Sequence, residues 1–157
     1  MSAVEDRLTQ MGLSVPDLAA PVASYVPALQ QGNLVFTSGQ LPFVDGKLPV
    51  TGKVGEGDGL IDPAEAARLA GLCALNAIAA VKSVIGDLDR VERVVKVVGF
   101  VASDPAFTGQ PRVINGASNL LGEAFGEAGV HARSAVGVAV LPLDTPVEVE
   151  ITVAVRD

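Results

Sequence analysis

Two side chains near the C-terminus suit chemistry on a small acid. Arg133 stands in the stretch His131-Ala132-Arg133-Ser134-Ala135-Val136, at the mouth of a run of small and branched residues. Its planar, permanently charged fork matches a carboxylate through two parallel hydrogen bonds. Glu148 opens the segment Val147-Glu148-Val149-Glu150, and a carboxylate there could orient water or move a proton. His131, the only histidine, lies two residues from Arg133 and invites an acid/base role, yet a loop position facing water is the expectation for it. One histidine and one cysteine are too few to build a Ser–His–Asp triad or a metal cluster.

The chain around these residues is 157 residues long, enough for one domain with its own core. A formal net charge of −7 and a pI near 4.6 speak against a nucleic-acid partner, which normally meets a basic stripe. No apolar run reads as long and charge-free enough to span a bilayer, so no membrane partner is expected. The start, MSAVEDRLTQ, has no apolar secretory core, and the single Cys73 suits a reducing cytoplasm. Only 18% of residues are charged and the mean hydropathy is +0.44, which suggests apolar faces covered by further subunits.

The elements that must position the site follow from pattern. Residues 3–13 have the spacing of a short helix ending at Gly12, and a proline-punctuated extended stretch runs from Val15 to Leu29. Residues 33–38 read as a strand between Gly32 and Gly39. Residues 45–59 are glycine-rich and read as a flexible loop around a short edge hairpin. The stretch GKVGEGDG within them lacks the ending of a phosphate-binding Walker loop. A long helix begins with Asp62 as N-cap, Pro63 in the first turn and Glu65 completing a capping box, and Gly86 closes it. Its stripe of Ala66, Leu69, Ala70, Cys73, Ala77, Val81 and Val84 makes Cys73 a packing residue. Residues 91–101 form a β-branched central strand. A second helix is expected over about residues 112–128, weakened by Gly116, Gly122 and Gly126 and so dependent on packing. Strands at 134–140 and 147–155 complete an α+β fold, a single mixed sheet with two helices on one face.

Parity assigns the side chains to faces. Val147, Val149, Ile151, Val153 and Val155 should meet the helices, leaving Glu148 and Glu150 on the other side. Ser134, Val136, Val138 and Val140 likewise should meet the helices, so Arg133 and Ala135 share the helix-free face with Glu148. In a simple hairpin the two charged residues would still lie roughly 20 Å apart. Either these strands are not neighbours, or an interface completes the site.

These residues resemble the Rid family, the YjgF-type enamine/imine deaminases, over most of the chain from Tyr25 onward. The first motif is Tyr25, Gly32-Asn33 and Thr37-Ser38-Gly39-Gln40 with Pro42. The second is Ala132-Arg133-Ser134, Leu141-Pro142 and the Val147–Glu150 strand. The resemblance implies a fold of the bacterial chorismate mutase type and a homotrimer with sites between subunits. It further implies hydrolysis of 2-imino acids to 2-keto acids and ammonia, with no cofactor and no metal. Carried over by position, Arg133 grips the substrate carboxylate and Glu148 positions the attacking water. Tyr25 and Ser38 line the pocket, and Ala135 stands where the family often has cysteine. Asn115, Ser118 and Asn119 compete for the pocket asparagine of the second helix. Residues 1–20 form an N-terminal extension to a single domain covering 1–157, in what reads as a divergent branch. A non-catalytic binder of small carboxylic acids is the alternative, and an endoribonuclease is a poorer one.

Overall fold

In the computed structural model, residues 1–18 and 24–157 are described, so part of the stretch expected to be extended from Val15 to Leu29 lies outside the described residues. The chain runs α1 (Ala3–Gln10), β1 (Ala28–Gln31), β2 (Leu34–Thr37), α2 (Pro63–Ile85), β3 (Val91–Ala102), α3 (Gln110–Phe125), β4 (Ala132–Val138) and β5 (Val147–Val155). One mixed sheet has the order β1-β2-β5-β3-β4. Only β3 and β4 are parallel, joined by a crossover through α3, and β5 inserts antiparallel between β2 and β3. The last two strands are therefore not hairpin neighbours: β3 stands between them.

The strict alternation of β5 is borne out. Val147, Val149, Ile151, Val153 and Val155 are all buried under the helices. α2 starts as its sequence directs, with the Asp62 carboxylate accepting from the Ala64 N–H at 2.8 Å and Pro63 opening the helix. The expected capping box does not form there, because Glu65 turns outward to Arg68. A capping box does form at α1, where Ser2 and Glu5 satisfy each other's backbone N–H groups. α2 also departs from the expectation about apolar runs. Its 23 residues include a window long and apolar enough for a bilayer, and 67% of that window is buried in the domain. Its apolarity serves contacts on two sides, the sheet and α3.

The glycine-rich segment is pinned rather than loose. Val54 is fully buried, its N–H donates to Ala102 O at 2.8 Å, and its carbonyl accepts from the Asp104 N–H at 2.9 Å. Only isolated bridges, not an edge hairpin, occur in this stretch. Apolar anchoring at Val54 overrides the signal of the surrounding glycines.

The N-terminal extension packs as part of the domain. Val4 and Leu8 are buried, Arg7 donates to Ala124 O at the end of α3, and Asp89 accepts from the N–H groups of Ala3 and Val4. Glu5 bonds Lys82 on α2. That bond, followed by the Ser2 backbone N–H and hydroxyl, lowers the Glu5 pKa from 4.5 to about 2. A depressed carboxylate contributes stability that is complete above its unfolded pKa and is lost as pH falls through the folded one. Glu5→Gln should therefore weaken the fold at neutral pH. Between pH 4.5 and about 2 its stability should change less than that of the wild type, as denaturant midpoints across that range will read.

α3 ends in a short 3-10 turn, Gly126–Gly129, rather than continuing as helix to residue 128. Its interior glycines differ in their reasons. A Cβ at Gly116 would lie 1.8 Å from Ala67 O on α2, whereas one at Gly122 would meet nothing within 4 Å. Gly116→Ala should cost about 1–3 kcal/mol by forcing the two helices apart. Gly122→Ala should be neutral or stabilise by about 0.5–1 kcal/mol through helix propensity. Urea unfolding of the two variants side by side checks both values.

Candidate functional site

The sheet register overturns one expectation about faces. Val97 pairs with both Ile151 and Arg133, and directly opposed residues share a face. Ile151 is buried beneath the helices, so Arg133 lies on the helix side. Phe100 pairs with both Glu148 and Val136, placing that carboxylate on the open side. Arg133 and Glu148 thus leave opposite faces of one sheet. The reason is clearance. A Cβ at Gly99 would be 2.4 Å from Ile114 of α3, and one at Gly137 would be 2.8 Å from Gln110. Ala135 packs on the helix side beside Gly99, and Val136 turns outward, 43% exposed.

Arg133 enters at the open end of that narrow seam. Its Nη1 donates to Asn115 Oδ1 at 2.8 Å and to Ser118 Oγ at 3.2 Å, and Nη2 donates to Pro111 O at 3.2 Å. Asn115 and Ser118, one turn apart on α3, both reach it. Asn119 is exposed and makes no bond to it. The three acceptors are uncharged, and no carboxylate among the described residues pairs with Arg133. Of five guanidinium N–H groups, the Nε–H and one on Nη2 are left for a ligand.

His131 corrects a second expectation. It is half-buried, its Nδ1 lies 2.6 Å from Gly129 O, and its Nε2 lies 2.8 Å from Ser118 Oγ. Sequence reasoning put it in water because nothing in the pattern showed that the 3-10 turn after α3 would fold the ring back onto Ser118.

The other candidates form a second group at the end of β1 and β2. The Ser38 hydroxyl donates to Val26 O at 2.6 Å, holding it beside the segment that carries Tyr25, whose own side chain is 63% exposed. Gln40 bonds reciprocally to the backbone of Val149, so Ser38-Gly39-Gln40 runs along β5 beside Glu148. A Cβ at Gly39 would lie 2.7 Å from the Glu148 carboxyl carbon, so the glycine gives that side chain its seat. Burial raises the Glu148 pKa, and neighbouring Glu150 raises it further. Cys73, fully buried, has its thiol pKa pushed well up, first by burial and then by the Glu148 charge, consistent with packing.

Among the described residues no three His, Cys, Asp or Glu side chains gather as a metal would need. Two open pockets of ≈ 580 and ≈ 620 Å³ lie along residues 55–67 and 104–112, the second reaching Pro111 beside the Arg133 cluster. Arg112, which both share, is paired with Glu56 and largely exposed.

Comparison with known proteins identifies the family. A profile described as "YjgF/chorismate_mutase-like, putative endoribonuclease" matches residues 5–153. Protein TCP17 of Trypanosoma cruzi is 43% identical over 155 residues, covering 98% of this chain and 95% of its own length. The crystal structure of Atu1372 from Agrobacterium tumefaciens, a protein of unknown function, superposes with a TM-score of 0.91 at 47% identity, over 98% of this chain and 93% of that one. Farther away, E. coli TdcF, solved with bound serine, superposes with a TM-score of 0.64 at 26% identity, over 89% and 94% of the two chains. The profile spans nearly the whole sheet and the helices packed on it, and the chain belongs to the YjgF/chorismate mutase-like family.

Proposed function

We propose that this protein hydrolyses small reactive 2-imino acids to 2-keto acids and ammonia, with Arg133 as the clamp for the substrate carboxylate. The observation that carries the reading is the state of Arg133: a half-buried cation, fixed by three neutral acceptors, without an acidic partner among the described residues. A cation held in place with N–H groups to spare and no acid beside it can take the carboxylate of a ligand through its fork. Serine bound to TdcF, an amino acid with the same carboxylate end, supports this class of ligand. A protonated imine is already electrophilic, so the protein needs mainly to hold the acid and admit water. Water adds to the imine carbon, the carbinolamine expels ammonia, and no metal or organic cofactor is required. A reducing cytoplasm is the setting that suits the free Cys73.

Glu148 cannot serve an Arg133-bound ligand from within the same chain, because the sheet separates them. The reading therefore includes assembly as a homotrimer, in which Tyr25, Ser38 and Glu148 of one subunit complete the cleft of the next. Support comes from the open face, where Leu29 lies beside Phe36 on one side of β5 and Phe100 beside Val136 on the other, with Thr152, Glu150 and Glu148 of β5 between the two pairs. Exposed apolar side chains such as Leu29, Phe36 and Val136 on one face suit a partner surface.

The same separation favours a second reading, a binder of small carboxylic acids without turnover, since one half-site has an anion clamp and no acid beside it. Ribonuclease activity is less suited to a chain of net charge −7.

Arg133→Ala should abolish acceleration of 2-imino acid decay and weaken pyruvate binding by about 1.5–3 kcal/mol, the worth of a charged hydrogen-bonded contact. Arg133→Lys should recover little, because a point donor does not reproduce the fork. Both variants should remain trimers by native mass spectrometry. Imino acids decaying no faster with wild-type protein than in buffer, while pyruvate still binds, would leave the binder. Unchanged affinity in Arg133→Ala would make the arginine structural.

A further inference from the structure

The Arg133 clamp is held by a directed chain of hydrogen bonds whose polarity is set at its far end. Gly129 O can only accept, so His131 Nδ1, at 2.6 Å, carries the ring proton. In the neutral ring Nε2 is then an acceptor, and the Ser118 hydroxyl 2.8 Å away directs its hydrogen there. The Ser118 oxygen is thereby left with its lone pairs toward Arg133 Nη1, which can only donate, at 3.2 Å. Each link permits one direction, from the guanidinium through Ser118 and His131 to a backbone carbonyl. Gly129 is itself fixed, since a Cβ there would lie 2.4 Å from Leu121 O.

We propose that His131, acting through Ser118, is a positioning residue for the carboxylate clamp: it fixes the orientation of Arg133 so that its two remaining N–H groups face the ligand as a fork. The inference rests on Arg133 being the carboxylate clamp, and not on whether turnover follows. Asn115 and Pro111 O also hold the guanidinium, so loss of the Ser118 link tilts the fork without releasing it. His131 is therefore expected to govern how well a small 2-keto acid is held, leaving the chemical step on bound substrate unchanged.

Calorimetric titration with pyruvate at neutral pH tests this in the full-length protein. His131→Ala and Ser118→Ala should each weaken binding roughly three- to tenfold, the worth of one hydrogen bond. The double variant should be no weaker than either single one, because both remove the same chain. His131→Gln, which offers Ser118 a carbonyl acceptor, and Ser118→Thr, which keeps the hydroxyl, should restore most of the affinity. A merely structural role would not follow that pattern of rescue, and thermal melts of each variant report folding directly. Where imine turnover is measurable, His131→Ala should raise KM with kcat unchanged. Wild-type affinity in His131→Ala and Ser118→Ala, with Arg133→Ala defective, overturns this inference alone. Wild-type affinity in Arg133→Ala as well overturns the clamp and the inference together.

Discussion

The close seating of α3 is the constraint on which the rest of the molecule depends. Gly116 lets it touch the backbone of α2 at Ala67, and Gly99 lets Ile114 reach down onto β3. That close seating leaves Ala135 as the β4 residue packed beneath α3, beside Gly99. It puts Arg133 within reach of Asn115, Ser118 and Pro111 O, and it turns Val136 onto the opposite surface. One steric fact builds the clamp and exposes the apolar face together.

Much of this was legible in sequence where a single physical term dominated. The alternation of β5 is a burial pattern with period two, and it predicts its own face without help. Asp62 and Pro63 mark the start of α2 because capping and the missing proline N–H are local effects. The fold class and family stand as expected.

What could not be read was non-local. The rule that bulk seeks the core predicts the wrong parity for β4, where Ala135 faces α3 and Val136 turns outward. The glycines that cause this lie on β3 and α3, far from β4 in sequence, and look like helix and strand weaknesses there. His131 was placed in water for a similar reason: its partner Ser118 is thirteen residues away and becomes adjacent only after a 3-10 turn. Glu65 had the spacing of a capping box, yet Arg68 one turn on competed for it successfully. Val54 was hidden among glycines that announced a loop.

Ala135 has a consequence for redox chemistry. Beneath α3, at Ala135 near the arginine, this chain offers only a methyl group, and its one sulfhydryl, Cys73, is sealed under β5. Thiolates are the groups that electrophiles and peroxides attack first, and exposure governs which are reached. The Arg133 cluster is assembled from guanidinium, amide, hydroxyl, imidazole and carbonyl groups, none of which is a sulfur nucleophile. Peroxide and alkylating agents that silence cysteine-bearing sites would find no thiol to modify in this one.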